Sequence, residues 1–209
     1  MTSAVHAHAA YDQTNLTHVL RRAAQLGLLQ AVLVFVFSVV SRFLDGLPEL
    51  ALRSLIVLIG VGATTLLPGL WTRARSVEGI AGAAGIGLGA TVVFTLVDSV
   101  LLQWIGTYTN RWLEIGGGSN WWYLPVWWMV GTYLAWMGAF ALANQTVKRG
   151  APAPGMVLGL ALVLTAVCGV IGVMLAVPHA SVGLGTFSVA FLPAIALTVL
   201  LTGVRVPRS

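Results

Sequence analysis

Six apolar runs dominate this chain: 23–41, 50–70, 80–102, 121–143, 155–177 and 185–204. Each is close to the roughly 20 residues that a helix needs to cross a bilayer. Lipid offers the backbone no hydrogen-bond partners, so such runs must pair their own amides as helices. Strand-like alternation is absent, which argues against a barrel. The chain therefore reads as all-α, a polytopic bundle of six transmembrane helices. Its longest connection, 103–120, is too short to hold a separate domain.

Composition supports this reading. The 209 residues are 58% hydrophobic and 8% charged, against about 45–50% and about 25% in a soluble domain. Seventeen charged side chains, eleven basic and six acidic, cannot cover a globular surface of this size. A cytosolic enzyme and a disordered chain are excluded. The basic residues are scattered singly or in pairs between apolar runs, so no nucleic-acid partner is expected. The lone cysteine, Cys168, permits neither an internal disulfide nor a thiolate cluster.

Six spans place both termini and the second and fourth loops on one side. Arg21, Arg22, Arg73, Arg75, Lys148, Arg149, Arg205 and Arg208 fall there, against Arg42, Arg53 and Arg111 opposite. Eight against three sets both termini in the cytoplasm by the positive-inside rule. The expected layout is a tail with a short amphipathic helix over 1–22, one transmembrane domain over 23–204, and a tail over 205–209. A multi-pass protein of a bacterial cytoplasmic membrane fits these rules.

Close helix packing in lipid depends on small residues. Ala81, Gly85 and Gly89 recur every four residues in the third run and form one smooth face. Gly155 and Gly159 repeat that spacing in the fifth. Both are expected seams, inside the bundle or against a second subunit.

Ionisable groups at membrane depth are functional candidates by default. Asp98 lies near the outer end of the third run and Arg53 near the outer start of the second. An Asp98–Arg53 ion pair tying these helices is expected, and a proton- or solute-binding role for Asp98 is the alternative. Ser and Thr hydroxyls within the runs can bond back to their own helices.

The histidines, His6, His8, His18 and His179, all lie outside the predicted spans. No haem held between membrane histidines and no metal site is expected. The only lysine, Lys148, lies in a loop, which excludes a Schiff base in the bundle.

The third loop is the most unusual stretch, QWIGTYTNRWLEIGGGSNWWYLPVWW. Tyr108, Trp112 and Ile115 share one face of a predicted short interfacial helix. Trp and Tyr gather at the headgroup level in many membrane proteins, so an aromatic belt is one reading. The other is an outer binding surface made by Tyr108, Arg111, Trp112, Glu114, Trp121, Trp122 and His179. Such a surface suits a lipid, a quinone or a pigment, and no other cofactor is indicated.

Three functions remain open. The first is a non-catalytic accessory, assembly or structural subunit of a larger membrane complex, or of a homo-oligomer. The second is a small-solute, ion or proton-coupled transporter or channel using Asp98. The third is an enzyme acting on a lipid at the outer interface. Catalytic motifs are missing, so the first reading leads.

Overall fold

The computed structural model describes residues 13–108, 123–177 and 180–203. Within them are six helices and no strand. The helices are α1 (Leu16–Phe43), α2 (Gly46–Thr72), α3 (Val77–Val97), α4 (Tyr123–Arg149), α5 (Pro154–Met174) and α6 (Leu184–Gly203). A π-helical turn, Asp98–Leu102, prolongs α3. All six are long and apolar enough to cross a membrane. The chain is a multi-pass, all-α membrane bundle.

Helix α1 differs from the expected layout. It runs unbroken from Leu16, so the stretch anticipated as a separate amphipathic helix continues directly into the first span. Asn15 caps it, its side chain accepting from the Thr17 amide at 2.9 Å. That bond satisfies one of the amides a helix start leaves open. His18 belongs to this helix, and its Nε2 lies 3.2 Å from the Trp71 carbonyl oxygen. The Arg22 guanidinium stacks over the Trp71 ring at 5.0 Å.

Helices α1 to α4 pack as one cluster, with α1 and α4 both laid against α3 and α2 against α4. Small residues set the closest approaches. A Cβ on Gly87 would lie 2.5 Å from the Gly131 carbonyl oxygen, and one on Gly69 would lie 2.7 Å from the Ala139 Cα. A Cβ on Gly138 would strike the Thr65 carbonyl oxygen. Backbones this close gain dispersion contacts that bulkier residues would forbid.

Helix α5 is held differently. It packs on α6 and meets α4 only lightly. Helix α6 in turn packs on α4. The largest apolar cluster joins Leu66, Leu134, Leu142, Val157, Phe191 and Ile195, from α2, α4, α5 and α6.

Candidate functional site

One cluster of polar groups lies at the far end of α3. There the helix widens into the π-helical turn that begins at Asp98. One extra residue per turn shifts the chain's register, and such turns recur at functional sites. The carboxylate of Asp98 is buried. Gln103 Nε2 donates to its Oδ2 at 3.0 Å, and the Tyr108 hydroxyl donates to its Oδ1. Both donors come from the segment that leaves the π turn.

That segment is pinned over the end of α1. The Ser38 hydroxyl donates to the Thr107 carbonyl oxygen, and the Arg42 guanidinium donates to the Gly106 carbonyl oxygen at 2.5 Å. Below it, Trp128 Nε1 donates to Thr95 Oγ1 at 3.2 Å, linking α4 to α3. Thr107 is buried and its hydroxyl oxygen has no partner among the described residues. Burial holds the Tyr108 phenol above its usual range, and its bond to Asp98 and that carboxylate's charge add to the effect. Tyr108 therefore stays a donor at neutral pH.

The expected Asp98–Arg53 pair does not form. Arg53 pairs instead with Glu49, one turn earlier in α2, at 3.1 Å. Its guanidinium lies over the Phe37 ring at 5.1 Å. An i,i+4 partner on its own helix meets the charge more directly than one across the bundle. Arg53 thus fastens α2 to α1, and Asp98 is served by neutral donors.

Other polar groups within the spans are engaged locally. Gln30 Nε2 donates to Thr64 Oγ1 at 3.1 Å, between α1 and α2. Asn144 Nδ2 donates to the Val199 carbonyl oxygen at 3.3 Å. Thr91, Thr95 and Thr165 donate back to their own helices, as anticipated.

The small-residue faces separate. Gly89 is an internal seam, where a Cβ would lie 2.8 Å from the Ala23 Cβ of α1. Gly85 meets only Val19, at 3.8 Å, and Ala81 is exposed. On α5, a Cβ at Gly155 or Gly159 would meet no atom within 4 Å.

The structure brings Tyr108 to Asp98. Arg111, Trp112, Glu114, Trp121, Trp122 and His179, with the predicted interfacial helix, lie outside the described residues. Among the described residues no cluster of His, Cys, Asp and Glu could hold a metal ion.

Comparison with protein-family models, curated proteins and solved structures gave no match.

The sequence reading missed Gln103 as a ligand of Asp98. It also missed the Glu49–Arg53 pair, whose i,i+4 spacing was a visible signal.

Proposed function

We propose that this chain is a non-catalytic subunit of a larger membrane complex, with both termini cytoplasmic in a bacterial membrane. The observation that carries this reading is the bare outer face of α5. Helical spacing aligns Gly155, Gly159, Val163, Ala166 and Val170, and all five are exposed. The opposite face, Val157, Ala161 and Thr165, is buried against the bundle. A smooth stripe of Gly, Ala and Val is the surface on which membrane helices approach one another most closely. Helix α3 uses the same kind of stripe for its internal seam. Helix α5 carries one with no neighbour among the described residues. The bundle's polar groups add support, since Arg53, Gln30 and Asn144 are engaged in joining helices and Asp98 in holding the segment after the π turn.

The test is isolation from the native membrane in mild detergent, followed by mass measurement of the intact particle. A subunit migrates with a stoichiometric partner. A particle holding this chain alone contradicts the reading.

The Asp98 cluster favours a second reading, a proton-coupled transporter. A buried carboxylate held by a phenol at a π turn has the chemistry of a proton-binding group. Reconstituted vesicles would then show a proton flux that Asp98→Asn abolishes. Equal flux with and without the protein would dismiss it.

A further inference from the structure

The Asp98 carboxylate is 9% exposed and takes a hydrogen bond on each oxygen, from Gln103 and from Tyr108. We propose that this carboxylate, with the Thr107 hydroxyl beside it in the same fold-back, binds a monovalent metal cation of the sodium class.

Three observations lead there. The first is charge. Bonds donated to a carboxylate are strongest when the acceptor is ionised. No arginine, lysine or histidine among the described residues pairs with Asp98, whereas Glu49 has Arg53. A buried charge without a counter-charge is costly, and a bound cation supplies one.

The second is the capacity of the carboxylate. Its two oxygens offer about four acceptor positions, and the two donors take one on each oxygen. A proton on either oxygen would neutralise the acid and weaken both bonds. A metal cation uses the open positions and leaves both bonds charge-assisted.

The third is Thr107. Gly106, at φ 69°, turns the chain back after the π turn. The Thr107 amide then donates to the carbonyl oxygen of Leu102, the last residue of that turn, at 3.1 Å. Thr107 is 2% exposed, and its hydroxyl oxygen has no partner among the described residues. A buried oxygen without a partner is an uncompensated cost, and oxygen is the ligand that hard cations take.

The charge of the ion follows from the single acid. One carboxylate neutralises one positive charge, and a divalent ion would leave a net charge buried. An all-oxygen site of this kind does not call for the cluster of His, Cys, Asp and Glu that the described residues lack. The inference stands apart from the subunit and transporter readings, because a resident ion can fix the 103–108 segment without crossing the membrane.

The test is equilibrium dialysis of the full-length protein in detergent against radioactive sodium, with choline holding the ionic strength constant. The wild type should retain stoichiometric sodium. Asp98→Asn should lose it, and Thr107→Val should weaken binding roughly tenfold. Asp45→Asn, which removes an exposed acid outside the cluster, should leave binding intact. If Asp98→Asn does not run as a monodisperse particle, two results are read instead. They are the weakened binding of Thr107→Val and a rise in the wild-type melting temperature with sodium but not with choline. Failure of the wild type to retain sodium overturns the proposal. So does full retention by both Asp98→Asn and Thr107→Val. Equal loss with Asp45→Asn would mean diffuse surface charge and overturn it as well. Complete displacement of sodium by an equal concentration of calcium would assign the site to a divalent cation and overturn the monovalent one.

Discussion

The Tyr108 hydroxyl donates to the Asp98 carboxylate, so a residue beyond the end of α3 closes over the acid that begins its π turn. This bond and the one from Gln103 hold the 103–108 segment against the bundle. Asp98→Asn keeps the shape but replaces one acceptor oxygen with a donor that faces Gln103. Loss of a charge-assisted bond should cost about 1.5–3 kcal/mol, read as the free energy of unfolding in mixed micelles. Unchanged stability would mean that the bonds hold nothing in place.

The same contact has a signature in alkali. Tyr108 is raised in the folded state, from a reference of about 10. The native fold therefore holds this proton more tightly than the unfolded chain does. Its contribution is fully present below about pH 10 and is lost as pH rises through the folded value. Tyr108→Phe should flatten the alkaline fall in stability relative to wild type. Superimposable curves for the two proteins would count against the contact.

Glu49 is buried in α2 and pairs there with the part-buried Arg53. Removing the acid alone leaves a guanidinium in an apolar setting, so Glu49→Gln should destabilise by about 3–5 kcal/mol. Replacing both, as E49Q/R53M, should recover most of that loss. A double variant no better than E49Q would show that Arg53 does not depend on this partner.

Glycines separate the internal seams from the open face. Gly138→Ala drives a methyl group into the Thr65 carbonyl, and overpacking of this kind costs about 1–3 kcal/mol. Gly159→Ala adds its methyl to open space. In the isolated chain it should be neutral, or stabilising by up to about 1 kcal/mol. Equal losses at both positions would mean that α5 is covered within the chain.

The helices were legible because bilayer thickness and backbone satisfaction leave a long apolar run few alternatives. Their ends were less so. Helix α1 begins seven residues before the predicted start at 23, because Asn15 offers a cap and Arg22 finds Trp71. The partners of Asp98 were illegible for a different reason. A charge invites pairing with an opposite charge, yet Gln103 and Tyr108 reach it only because the π turn shifts the chain, and no residue pattern announced that turn. Gly85–Gly89 and Gly155–Gly159 look alike as spacing. Only packing reveals that Gly89 is covered by Ala23 while Gly155 and Gly159 face outward.

The most direct test of the subunit reading is a photo-reactive amino acid at Val163, on the outer face of α5, activated in native membranes. We predict one discrete adduct with a second, different membrane protein, absent when the probe replaces Val157 on the buried face. Adducts with lipid alone, or with another copy of this chain, would contradict the account.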